Sequence, residues 1–209
     1  MNTISSKFTC DSILHSSSRD PFGLGQTSFY YECDEEPLNQ MVFSDTIKEL
    51  DLQYHHDIKW ISLPKNLEKL NIHTIKGNIR NFDFPETLTE LTIGFLEEDI
   101  KDLDFPNSLK SLTIMYPSGE DVKDLNLPKS LKSLTFQYDF DQDIKNANFP
   151  EELEYLTVGD QFNQDIKNAN FPKSLKILTV GSGFKQNLST EHCNFPEGLC
   201  IHKKLDYHK

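Results

Sequence analysis

The chain has no long hydrophobic run. None of its 209 residues form an apolar stretch long enough to span a bilayer, and the first residues, MNTISSKFTCDSILHSSS, lack a segment of signal-peptide type. We therefore expect a cytoplasmic protein without membrane attachment. Basic residues are also scarce, at 21 against 33 acidic ones. The resulting net charge of -12 disfavours binding to nucleic acid, because such binding depends on Lys and Arg meeting phosphates.

The motifs of catalysis and of metal binding are missing as well. The sequence contains no HExxH, no glycine-rich phosphate loop and no nucleophile elbow. Cys10, Cys33, Cys193 and Cys200 form no CxxC pair, and we interpret them as free thiols. The histidines do not have the spacing of a zinc site. We predict a protein that is not an enzyme and has no cofactor and no bound metal.

What the sequence does have is an internal repeat. The nine residues QDIKNANFP occur at 142–150 and again at 164–172. Each unit carries L-x-x-L-x-[ILVF], whose last two apolar residues are two positions apart, as in a strand with one buried face. Units of about two dozen residues are too short for a strand, a three-turn helix and two turns. The first unit begins at Ser44, and the others begin at Pro64, Pro85, Pro106, Pro128, Pro150 and Pro172.

Stacking these units places equivalent residues in columns, with parallel strands about 4.8 Å apart. The periodicity predicts an all-β fold, a right-handed parallel β-solenoid of the leucine-rich-repeat type with short coils and no long helices. In QDIKNANFP, the Ile, Ala and Phe side chains would point inward. Two inward columns are Leu67, Leu88, Leu109, Leu131, Leu153, Leu175 and Leu70, Leu91, Leu112, Leu134, Leu156, Leu178.

The segment FNQDIKNANFPKSLKILTVG, at 162–181, resembles the FNIP repeat, which has an F-N-x-P-[IL] start and an L-P-x-S-L-x-x-L core. The resemblance covers roughly residues 26–199 and implies a leucine-rich-repeat-like solenoid. FNIP repeats often follow an F-box in suspected substrate receptors of ubiquitin ligases, but residues 1–40 show no F-box pattern. The matching residues are Phe162, Asn163, Ile166, Pro172, Ser174, Leu175 and Leu178.

We predict one domain with three parts: an N-terminal cap with a degenerate repeat at 1–43, seven coils at 44–196, and a C-terminal cap at 197–209. Caps are expected because an open coil end exposes strand edges and core. The predicted function is protein–protein interaction through the concave strand face, with substrate-recognition adaptor as its more specific form. The partner is an unidentified protein. The alternative is a structural protein that self-associates through the ends or edges of the solenoid.

The predicted binding residues occupy outward strand positions. A threonine column runs along this face, although threonine is also simply a favourable exposed strand residue. Among the candidate binding residues, Tyr155 and Met115 in the neighbouring columns are the most informative, because both side chains are large and both positions should face outward. The full set of candidates is Tyr155, Met115, Gln137, His73, Tyr138, Thr113 and Thr135.

Aromatic residues also follow the strands, at Tyr54, Phe95, Tyr116 and Tyr138. Aromatic side chains are enriched at binding hot spots. Strict strand alternation would instead turn these four inward. We therefore predict that this column packs the corner of the coil, and we retain only Tyr138 among the candidate binding residues.

Overall fold

The repeated units form a parallel β-solenoid, as the sequence predicts. The computed structural model describes residues 28–33, 41–54, 61–75, 83–96, 100–116, 122–187 and 194–204. Nine strands form one sheet in the order β1-β3-β5-β6-β7-β8-β9-β10-β11, and β2 pairs with β4 separately. The strands are β1 Ser28–Cys33, β2 Met41–Val42, β3 Glu49–Tyr54, β4 Ile61–Ser62, β5 Lys69–Ile75, β6 Glu90–Leu96, β7 Ser111–Tyr116, β8 Ser133–Phe136, β9 Tyr155–Thr157, β10 Ile177–Val180 and β11 Cys200–Lys203.

The register of the sheet follows the repeat. Leu91 pairs with Leu112, and Leu112 pairs with Leu134, so equivalent leucines are neighbours in space. Each of the seven predicted units contributes one strand to the nine-stranded sheet, and these strands are β3, β5, β6, β7, β8, β9 and β10. Within the described ranges there is no α-helix, and the only helical turns are short 3₁₀ turns at Ile100–Asp102 and Val122–Asp124. The predicted cap boundaries remain a prediction, although β1 and β11 lie in the predicted caps and extend the same sheet.

The inward columns make one continuous core. The burial pattern of β7 alternates, with Leu112 and Ile114 buried and their neighbours half-exposed. No polar or charged side chain is buried in the described part of the chain. In the duplicated stretch, Ile144 and Ala147 are buried and Phe149 is partly buried against the core, as predicted.

The proline of each unit opens a turn. In the unit that begins at Pro106, the backbone N–H of Leu109 donates to the Pro106 carbonyl at 3.1 Å, and the same bond recurs in the other units. Proline suits this position because it presets its own backbone angle and needs no N–H here. The turn leads directly into the strand, so it fixes where each strand begins.

In most units a hydroxyl two residues after the proline ties the turn to the coil before it. The Ser130 hydroxyl donates to the Leu109 carbonyl at 2.8 Å, and Ser108 and Ser174 make the same bond at 2.6 and 2.7 Å to Leu88 and Leu153. The serine of the L-P-x-S-L core therefore satisfies a carbonyl that the strand ladder does not use. Glu152 occupies this place in the unit of β9 and is exposed.

Candidate binding surface

The outward side of the nine-stranded sheet, which we call the strand face, carries the predicted binding residues. Thr113 and Thr135 pair in register on β7 and β8, and both are half-exposed. Tyr155, at the start of β9, is 43% exposed. Met115 is half-exposed near the end of β7. These four residues share the face that the sequence predicts for them, and their role in binding remains a prediction.

The other candidates differ in their surroundings. His73 is already engaged, because its Nε2 lies 2.9 Å from a carboxylate oxygen of Asp51 and 3.5 Å from the amide nitrogen of Asn71. Gln137 is half-exposed, and its backbone N–H donates to the Ile114 carbonyl at 2.9 Å. His73 lies on β5, two strands from Met115, which corresponds to about 10 Å at the usual strand spacing.

The prediction that the aromatic column packs the corner is wrong for the three residues whose side chains are described. Phe95 is 49% exposed, Tyr116 is 45% exposed and Tyr138 is 50% exposed. The side chain of Tyr54 lies outside the described residues. We call Phe95, Tyr116 and Tyr138 the aromatic platform.

The alternation fails because the strand ladder is interrupted just before these residues. The pairs between β6 and β7 run from Glu90–Ser111 to Ile93–Ile114 and then skip Gly94. A Cβ on Gly94 would lie 2.1 Å from the His73 carbonyl oxygen, so the backbone of β5 approaches too closely for any other residue. Period-two alternation holds only while the strand stays regularly extended and paired. Gly94 is the signal in the sequence for this interruption before Phe95, whereas Met115 and Gln137 stand before Tyr116 and Tyr138, where the sequence gives no such signal.

Two members of the platform stack on each other. The rings of Tyr116 and Tyr138 have centroids 4.6 Å apart and planes inclined by 4°. Tyr138 has a backbone φ of 45°, the one positive φ among the non-glycine residues described. That region is unfavourable for a bulky side chain. Phe95 extends the row, since it pairs in register with Tyr116.

Ion pairs cross the strand face between successive coils. Glu154 accepts bonds from Lys176 at 2.5 Å and from Lys132 at 3.3 Å, so one carboxylate joins three coils. The bond from Lys176 and, to a smaller extent, the bond from Lys132 lower the pKa of Glu154 below its usual value. The bond with Glu154 in turn raises the pKa of Lys176. Towards the other end of the sheet, Glu90 accepts a bond from Lys69 at 3.2 Å, and this bond raises the pKa of Lys69. These cross-coil partners were not predicted from the sequence.

A shallow depression lies on the strand face beside β3, β5 and β6. The Lys69–Glu90 ion pair crosses it, and the amide nitrogen of Asn71 donates to Asp51 at 2.8 Å.

No group of histidine, cysteine and acidic residues that could hold a metal ion occurs in the ranges that the structure describes. Among the same residues there is no helix long and apolar enough to cross a membrane. Cys200 is a free and exposed thiol.

The chain is similar to known repeat proteins. The FNIP repeat model matches residues 122–161 and 162–200, as the sequence resemblance predicts. The crystal structure of CroV588, described as a novel circular LRR protein, is similar over 84% of this chain with a TM-score of 0.69 and 27% identity. The match covers only 26% of that protein. No curated protein matches the chain.

Proposed function

We propose that this leucine-rich-repeat-like solenoid is a non-catalytic interaction module that binds a protein partner on its strand face. One observation carries the proposal. The large hydrophobic side chains that stay exposed in the described residues are Phe95, Tyr116, Tyr138 and Tyr155. All four lie on the strand face or at the margin where its strands end. Exposed aromatics gathered on one side are typical of binding hot spots, and stacked repeats offer extended binding surfaces.

The ionisable groups of this face support recognition rather than chemistry. The shifted pKa values of Lys69, Glu154 and Lys176 arise from bonds between exposed side chains of neighbouring coils. Such pairs define a pattern of charge that a partner can match, and they contribute to specificity and to the rate of association. The depression beside them is open and polar, whereas pockets for small molecules are concave and mostly apolar.

Affinity capture with variants of the strand face tests this proposal. The tagged protein and the double variant Tyr155→Ala, Met115→Ala are compared with a control, Lys129→Ala and Lys173→Ala, which removes exposed side chains at the proline turns. We expect the strand-face variant to lose the captured partner and the turn variant to retain it. Equal recovery by all three proteins would contradict the assignment of the strand face.

The more specific proposal is a substrate-recognition adaptor of a ubiquitin ligase. It rests on the FNIP repeats at 122–200, and a cytoplasmic location is part of it. Recovery of a ligase scaffold together with the strand-face partner would support the adaptor role. Recovery of the partner without any ligase component would restrict the function to binding.

Self-association is the second candidate, and the last strand of the sheet favours it. Among the described residues, β11 pairs only with β10, so its other edge is open. Open strand edges can pair with another chain. The similar circular protein, of which this chain matches 26%, also fits an assembly of several such units.

Blocking the open edge tests this candidate. The backbone N–H groups of Cys200 and Lys204 donate to the carbonyls of Lys176, just before β10, and of Val180 in β10, so by alternation the N–H of Lys203 faces away from β10. Lys203→Pro removes that donor. Light scattering at increasing concentration should show oligomers for the natural sequence and monomers for the variant. A natural protein that stays monomeric would exclude self-association as its function.

A further inference from the structure

The aromatic platform and the charges beside it indicate what kind of partner binds there, an inference that rests on the proposed function. Tyr116 and Tyr138 form a nearly parallel stack at 4.6 Å, and Phe95 continues the row on the next strand. All three side chains are between 45% and 50% exposed. The platform is therefore a surface of aromatic rings on three successive coils, open to solvent.

Folding does not require aromatic residues at this place. The residues equivalent to Tyr138 in the next two coils are Asp160 and Ser182, which are joined by a bond from the Ser182 N–H to the Asp160 carboxylate at 3.1 Å. Small polar residues thus occupy the same place in the repeat. Tyr138 moreover has the unfavourable φ of 45°, where asparagine or glycine is usual. Residues in strained conformations cluster at functional sites.

The turns that follow the platform are acidic. Segments 137–143 and 159–165 contain five aspartates and no lysine or arginine. Asp139 follows Tyr138 in the chain, is exposed, and has no hydrogen bond or ion pair with the described residues. Asp141 and Asp160 are exposed as well, and each accepts one backbone N–H, from Asn163 at 2.8 Å and from Ser182 at 3.1 Å. The carboxylates therefore remain available to a cationic partner.

We propose that the aromatic platform and its flanking aspartates bind an extended, arginine-rich segment of a partner protein. A guanidinium group stacks on tyrosine rings and forms bidentate bonds with carboxylates, so both halves of this surface suit arginine. The net charge of -12 adds a long-range attraction for a basic segment. A proline-rich segment would use the rings but gain nothing from the carboxylates.

Peptide titration followed by fluorescence anisotropy tests the proposal on the full chain. The probe is a labelled peptide in which arginine alternates with serine. Comparison peptides contain lysine, glutamate or proline in place of arginine. We expect the arginine peptide to bind most tightly and the glutamate peptide not to bind. No binding of the arginine peptide, or tighter binding of the proline peptide, overturns the proposal.

Two variants locate the site. Tyr116→Ala with Tyr138→Asn removes both rings, while asparagine tolerates the backbone conformation of residue 138. This variant should weaken binding at least about tenfold, as expected for the loss of two cation–π contacts. Asp139→Asn with Asp160→Asn should weaken binding of the arginine peptide and make that binding less dependent on salt concentration. The control Glu151→Gln with Glu152→Gln makes the same change in charge at an exposed proline turn and should bind like the natural sequence.

The outcomes separate this inference from the proposed function. Unchanged peptide affinity in the platform variant, together with partner capture that depends on Tyr155, overturns the arginine-rich ligand and leaves the interaction module standing. Equal weakening by the Asp139 variant and by its Glu151 control shows an unspecific charge effect and also overturns it. Partner capture that no strand-face variant changes overturns the proposed function.

Discussion

Two regions of the solenoid fill the corner after the strand in different ways. In the middle coils, residues 83–127, the strand ends in an exposed aromatic and the chain continues through a short 3₁₀ turn, at Ile100–Asp102 and Val122–Asp124. In the C-terminal coils, residues 140–187, the corner holds a buried phenylalanine instead. Phe140, Phe162 and Phe184 are at most 2% exposed and stack at 5.8 and 6.0 Å.

The buried residue three positions before the proline compensates for the volume that the extra phenylalanine occupies in the C-terminal coils. Leu103 and Leu125 of the middle coils are buried in the slot that Ala147 and Ala169 occupy in the C-terminal coils. The smaller residue therefore accompanies the added phenylalanine, and interiors must keep a constant packing density. The comparison shows that one repeat length can enclose two different cores. An exposed aromatic follows the strand in the middle coils and in the coil of β8, whereas Asp160 and Ser182 take this place in the last two coils.

The largest expected effect lies in the phenylalanine column. Phe162→Ala should lower the free energy of unfolding by about 3–5 kcal/mol, because it leaves a cavity between Phe140 and Phe184. Tyr116→Ala should cost less than about 1.5 kcal/mol, since that ring is exposed and loses mainly its stack. Urea unfolding measures both. Similar losses in the two variants would mean that the two corners do not differ in how they stabilise the coil.

A substitution at the position of Ala147 should give the next largest change in the free energy of unfolding. Ala147→Leu installs the residue of the middle coils where a phenylalanine already fills the space, and we expect a loss of about 1–3 kcal/mol from overpacking. Leu125→Met is the control, because it conserves volume and should cost less than about 1.5 kcal/mol. An Ala147→Leu variant as stable as the natural sequence would show that the C-terminal core has room to spare.

The bond from the serine hydroxyl of a turn to the leucine carbonyl of the preceding coil, which we call the serine bridge, should contribute equally to stability in both regions. Ser108→Ala in the middle coils and Ser174→Ala in the C-terminal coils each remove one hydroxyl bond to a leucine carbonyl, at a cost of about 1 kcal/mol. Thermal and urea unfolding should place the two losses within about 0.5 kcal/mol of each other. A large difference would show that the shared template is not equally strong along the chain. Glu152→Ser should add the missing bridge and raise stability.

The smallest effect concerns pH. The bonds from Lys176 and Lys132 lower the pKa of Glu154, so its contribution to stability is present above the usual value of 4.5 and is lost as the pH falls through the lowered pKa. NMR titration should show that Lys176→Met raises the pKa of Glu154 more than Lys132→Met does. The reverse order would contradict the geometry at this end of the sheet.

The Lys69–Glu90 pair, which joins β5 to β6, titrates at the other end of the pH scale. Glu90 raises the pKa of Lys69, so the stability from this pair is present below the usual value and is lost as the pH rises through the raised pKa.

Much of the fold could be predicted because a repeat converts sequence spacing into spatial contact. The proline spacing placed Leu112 beside Leu134, and alternation within each strand separated the inward leucines from the outward threonines. Phe140, Phe162 and Phe184, which recur every 22 residues, also stack in a column. The resemblance to FNIP repeats is confirmed by the family match at 122–200.

The candidate surface was predicted less well. Alternation placed Tyr155, Met115 and the threonines outward, but it turned Phe95 and Tyr116 inward, where the structure exposes them. The close approach of Gly94 to His73 interrupts the regular strand pairing, which resumes at Phe95, and that contact joins two coils. The serine bridges and the carboxylate of Glu154 shared by two lysines likewise depend on which atoms face each other between coils.

The sequence by itself determined the period, the strand positions and the inward columns, because each unit must bury its apolar residues against the next. Only the tertiary structure decided how each corner is closed and which side chains remain exposed there. Those outcomes depend on the interruption of the strand ladder at Gly94 and on its end at Phe136, before Tyr138, where side-chain direction no longer follows the alternation of the letters.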